Sequence, residues 1–172
     1  MFYQTTVTLP ISRLKALVSL LDIVREQAID KNMSDATILE LRLAPDMLTF
    51  ARQIQIVSDN AKGMVSRLTG KENPKMEDTE VTITELQTRL NNTITYLESF
   101  KETDFAQSAN AEARFPWFPG MHMVGAGYIL EYGLPNFFFH VVTAYDILRH
   151  HGFEIGKSNY IGGNLPLIAD QV

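Results

Sequence analysis

His140 stands within residues 134–152, LPNFFFHVVTAYDILRHHG, where aromatic and aliphatic residues surround one imidazole and two more close the segment. Burial disfavours the imidazolium, so the ring is expected to be neutral, donating from one nitrogen and accepting at the other. Such a ring suits a general base or a metal ligand, and equally a structural hydrogen bond. Asn136, His140, Ala144, Ile147 and His151 share one helical face by their spacing. Upstream, Asp46, Gln53 and Asn60 recur every seven residues, directly before the apolar Met47, Ile54 and Ala61. They form a polar stripe beside a packed face, either the edge of a pocket or a solvated flank. Asp46 supplies the carboxylate, and with His140 it is a candidate catalytic residue. Gln53, Asn60 and Asn136 are candidate pocket groups, and the amides are also the obvious partners of a buried imidazole.

Neighbouring residues read less sharply. Tyr145 adds a candidate phenol to the pocket, although it also reads as core, and Asp146 reads as solvated or paired with Arg149. His150 and His151 suit a helix C-terminus, where positive charge is favourable. His122, Trp117 and Phe118 belong to an aromatic loop that either edges a pocket mouth or packs as a lid. Among motifs, there is no G-x-S-x-G, no H-E-x-x-H and no glycine-rich phosphate loop in a strand-to-helix setting.

Composition narrows the classes further. The chain has 172 residues, 45% hydrophobic and 20% charged, which suits one globular domain over residues 1–172. A formal charge of -5, with no basic cluster, argues against a nucleic-acid partner. The absence of cysteine removes disulfides, thiolate nucleophiles and zinc–thiolate sites, so any metal would need His, Asp or Glu. The N-terminal MFYQTTVTLPISRLK lacks a basic region followed by a long apolar run, so a cytoplasmic location is expected. Residues 128–145 are the most apolar, but Glu131, Gly133, Pro135, Asn136 and His140 make them buried protein, not a membrane span.

The elements that must position these side chains follow from periodicity. Helices are expected from Pro10, Pro45, Thr82 and Pro135, with a short one after the N-cap Ser34. Met47, Phe50, Ile54, Val57, Ala61, Met64 and Leu68 keep a heptad-like seam up to Gly70. Thr82 and Glu85 form a capping-box pattern. The charged KENPKMEDTE, residues 71–80, reads as a solvated connection without chemistry. ARFPWFPGMHMVGAGY, with Pro119-Gly120 as a turn signal, reads as a hairpin or ordered loop before the last helix. The class is all-α, a four-helix bundle. Apolar residues on the last helix, in the aromatic loop and in the tail exceed what one small bundle hides, so a homodimer is expected.

RLAPDM (42–47), RQIQIVSDNAKG (52–63), PNFFFHVVTAYDILRHHG (135–152) and GKSNYIGG (156–163) together resemble the DUF1993 family, a group of unknown function similar to the DinB-like four-helix bundles. The resemblance covers most of the chain. It implies an up-down-down-up bundle, often dimeric, with a polar pocket between helices. DinB-like relatives hold a divalent metal there on three histidines, one from the second helix and a His-x-x-x-His pair from the last. Some transfer small thiols or isomerise small acids. Here Ala144 follows His140 by one turn, and no histidine lies between Pro45 and Gly70. No metal ligand is therefore assigned and no cofactor is expected; a divalent ion would find only a weak, vestigial site. The first expectation is small-molecule binding in the pocket. The rivals are a metal-assisted transferase or isomerase and a non-catalytic interaction protein.

Overall fold

The computed structural model describes residues 1–163. Four long helices carry the fold: α1 (Leu9–Asp30), α3 (Phe50–Thr69), α4 (Ile83–Glu98) and α6 (Leu134–His150). Short helices α2 (Asp35–Leu39), α5 (Gly125–Tyr128) and α7 (Lys157–Ile161) join them, and strands β1 (Glu112–Arg114) and β2 (His122–Val124) make the expected hairpin before the last helix. The fold is thus the all-α bundle that the periodicity implies. Among the described residues, no helix is long and apolar enough to cross a membrane.

Local chemistry explains the boundaries. The Thr82 side chain accepts from the Glu85 amide at 3.1 Å while the Glu85 carboxylate accepts from the amides of Thr82 and Val81, which completes the capping box. Ser34 caps α2 by accepting from Thr37. At the other end of α3, Gly70 takes the left-handed conformation, φ 72°, that ends many helices.

Pro10 and Pro135 stand at the second position of α1 and α6, near the expected starts, and the Pro45 start is corrected. Pro45 does not open a helix: it lies in an exposed turn, and α3 begins at Phe50 behind Thr49, whose side chain accepts from the Arg52 amide. Pro10 and Pro135 lie inside continuous helical segments. A π turn precedes each, Gln4–Thr8 and Ile129–Gly133, and the Leu9 and Leu134 amides reach back to the carbonyls of Gln4 and Ile129. Proline lacks an N–H and crowds the carbonyl one turn back. One extra residue in that turn relieves the crowding, so the helix runs through.

The α3 seam packs against both α4 and α6, and α1 packs against α4 and α7. Phe50, Ile54, Val57, Ala61 and Met64 of α3 meet Phe137, Val141, Ala144 and Ile147 of α6 in one buried core with Leu14, Leu21, Leu86 and Leu90. Two glycines set close approaches. At Gly125, φ 41°, a Cβ would lie 2.3 Å from the Ala109 carbonyl oxygen, and its amide donates to Ala111, which seats the hairpin. At Gly133 a Cβ would meet the Met64 sulfur at 3.1 Å, so the π turn lies against α3.

Candidate functional site

The π turn also sets which side chains face α3, since each inserted residue rotates the rest of the helix by about 100°. Two polar pairs then bridge the α3–α6 seam. His140 Nδ1 and Gln53 Oε1 are 2.6 Å apart, and Asn136 Nδ2 donates to Asn60 Oδ1 at 3.0 Å. Gln53 Nε2 donates to the Leu48 carbonyl at 3.2 Å, which turns its oxygen toward the ring. The proton between them therefore sits on His140 Nδ1, and Nε2 is the acceptor. His140 is 8% exposed, and burial lowers its pKa below the ordinary histidine value. Burial thus favours the neutral imidazole over the cation.

The six candidate residues do not converge. Gln53 meets His140 and Asn60 meets Asn136. Asp46 is exposed ahead of α3, because the heptad that aligned it with Gln53 begins before the helix does. Tyr145 lies in a separate groove with Val142, Lys157 and Tyr160, its hydroxyl donating to the Ile155 carbonyl at 3.4 Å.

Asn60 and Asn136 instead line a cleft of about 490 Å³ between α3, residues 73–76, the hairpin and the π turn. Phe115 centres its aromatic wall, with ring centroids 5.0 Å from Tyr132, 5.3 Å from Trp117 and 5.7 Å from Tyr128. Arg67 lies over that wall, its guanidinium 4.9 Å from the Phe115 centroid. Its Nη1 donates to the Tyr128 hydroxyl at 3.3 Å and its Nε to the Arg114 carbonyl at 3.4 Å. Asn60 Nδ2 is buried without a partner among the described residues. Such a donor costs about 1–3 kcal/mol until something accepts from it.

One wall of the cleft revises the reading of residues 71–80 as a connection without chemistry. Arg89, 3% exposed, forms ion pairs with Asp59 at 2.9 Å, Asp78 at 3.0 Å and Glu80 at 2.9 Å, and donates to the Glu77 carbonyl. Desolvation works against its charge, but the hydrogen bond to Glu80 and the fields of Asp59, Glu80 and Asp78 raise its pKa overall. Lys62, 2% exposed, donates to the Pro74 carbonyl at 2.9 Å and pairs with Asp59 at 3.2 Å. Arg52 pairs with Asp78, and Gln55 donates to Glu80. This clasp fixes the segment to α3 and α4. A sequence signal existed only in part: Lys62 and Arg89 directly adjoin the seam residues Ala61 and Leu90, positions where a charge requires a partner.

The donors at the seam do not fit a three-histidine metal site. One imidazole faces amides, and among the described residues no group of three or more His, Asp or Glu is placed to hold an ion. Amide oxygens are weak ligands for the metals that imidazole favours.

Comparisons with known proteins agree with the architecture. The profile of the domain of unknown function DUF1993 matches residues 2–161. A crystal structure of a DinB family member protein from Shewanella denitrificans, at 1.83 Å resolution, is similar at 40% identity with a TM-score of 0.94, over 99% of this chain and 96% of that one. No curated protein matches the chain.

Proposed function

The chain belongs to the DUF1993 family of DinB-like bundles, and from that premise we propose that it binds a small molecule in the cleft between α3, residues 73–76 and the hairpin. The observation that carries this reading is the cleft itself. Its about 490 Å³ falls within the size range of small-molecule sites, and it joins an aromatic wall to a few fixed polar groups. Preorganisation supports it as well, because the clasp of Arg89 and Lys62 holds the wall that contains Asn73 and Met76. His140 lies outside the lining and acts as a tie between α3 and α6.

Titration of the isotopically labelled protein with a fragment library, followed by NMR, tests the reading. The expected shifts cluster at Asn60, Tyr132, Asn136 and the Trp117 indole. Shifts confined to the groove of Val142 and Tyr160, or scattered over the surface, would overturn it.

A second copy of the chain is the proposed partner. Phe139 and Val142 are exposed on the outer face of the last helix, with Phe138 and Tyr145 half-buried beside them. A helix with such a stripe can meet its own copy about a twofold axis, each stripe covering the other. Light scattering is expected to give a dimer mass for the wild type and a monomer mass for a Phe139→Glu, Val142→Glu variant. A wild-type monomer at micromolar concentration would refute the assembly.

A further inference from the structure

We propose that the cleft takes a small carboxylic acid with a flat apolar body, its carboxylate paired with Arg67; this rests on the cleft being a binding site. Three cationic side chains line the cleft, against the single carboxylate of Asp59. Lys62 pairs with Asp59, and Lys75 pairs with Glu77 at 2.6 Å. Among the described residues no carboxylate reaches Arg67. Its partners are a phenol and a backbone carbonyl, both at long hydrogen-bond distance. Burial holds the Tyr128 phenol above its usual pKa against the pull of Arg67, so Tyr128 stays neutral and leaves the guanidinium charge uncompensated.

The guanidinium is held in place by the helix it belongs to. Helical side chains lean toward the N-terminus, and Arg67 folds back over Gly63, one turn earlier. A Cβ at Gly63 would lie 2.3 Å from Arg67 Nη1. Glycine in a helix interior costs about 1 kcal/mol relative to alanine, and here its bare Cα is where the guanidinium rests. Folding back brings Nη1 to within about one turn, roughly 4.5 Å along the axis, of Asn60. A small molecule can therefore touch Arg67 and the Asn60–Asn136 pair together while lying flat on Trp117 and Tyr132. The planar fork of arginine matches a carboxylate by two parallel hydrogen bonds.

Trp117, the only tryptophan of the chain, lines the cleft and reports occupancy by its fluorescence. Phenylacetate, its neutral isostere phenylacetamide and inorganic phosphate are the probes. On wild type the acid is expected to bind on the order of tenfold more tightly than the amide. Arg67→Gln removes the charge, and Gly63→Ala keeps every charge while displacing the guanidinium. Both should bring the acid down to the amide's level, with melting temperatures showing that each variant is folded. Equal binding of acid and amide to wild type would overturn the acid class and leave the cleft reading standing. Phosphate competing as well as the acid would overturn the carboxylate. No response of Trp117 to either organic probe would overturn both the inference and the cleft reading.

Discussion

Arg89→Ala is expected to cost about 3 kcal/mol of stability, near the lower end for removing one partner of a buried ion pair. Glu80, with a side chain only 11% exposed, would keep its charge with Gln55 as its remaining side-chain partner, while Asp59 and Asp78 are open enough to regain water. For a chain of this length that loss corresponds to a fall in melting temperature of roughly 6–12 °C. The sign of a second change separates charge from packing. Arg89→Met keeps most of the volume and should lose nearly as much, whereas Arg89→Met with Glu80→Met should recover over half, because an apolar pair leaves no charge unpaired. The same variants act on the cleft. Once Arg89 releases Asp78, Glu80 and the Glu77 carbonyl, residues 71–80 should become open to trypsin at Lys71 or Lys75 under conditions where wild type resists. A melting temperature within about 2 °C of wild type for Arg89→Met would show that the clasp adds little.

The clasp and the helix starts mark where the sequence stopped being legible, and for different reasons. Caps are local, so Ser34, Thr82 and Glu85 could be read directly, as could the buried face of α3 from Phe50 onward. Proline is ambiguous. It favours a first helical turn, but a π turn ahead of it allows the same Leu-Pro step inside a helix, and nothing in Leu9-Pro10 or Leu134-Pro135 distinguishes the two cases. Asp46 joined the polar stripe only through an assumed helix start at Pro45, and it left the stripe when Thr49 proved to be the cap. The charges of residues 71–80 read as solvated because their partners, Arg52, Lys62 and Arg89, are supplied by other helices. Ion pairs across elements leave no periodicity. Arg67 was missed because its neighbours, Phe115, Tyr128 and the Arg114 carbonyl, come from other elements, and Gly63 one turn before it was the available clue, since a glycine inside a strong helical seam needs a close neighbour to explain it.

His140→Ala is expected to lower stability by about 1–3 kcal/mol, because it leaves the Gln53 oxygen without its donor and opens a space in the α3–α6 seam. His140→Gln should restore part of that loss by offering an amide N–H to Gln53. The pH dependence identifies the ring itself. Burial puts the folded-state pKa below that of the unfolded chain, near 6.5, so the unfolded state binds the proton first as pH falls. The stabilisation is complete above about pH 6.5 and is lost progressively below it, at a slope that cannot exceed about 1.4 kcal/mol per pH unit for one proton. Wild type and variant differ at this residue alone, so subtracting the two curves isolates His140. The stability gap between wild type and His140→Gln should therefore narrow from pH 7.5 to pH 5.5, as urea melts would measure. A gap that widened on acidification would mean that the ring is held as the cation. Melts with added zinc complete the test: a large zinc-induced rise in the wild-type melting temperature, absent from both variants, would make His140 a metal ligand rather than a hydrogen-bonded tie.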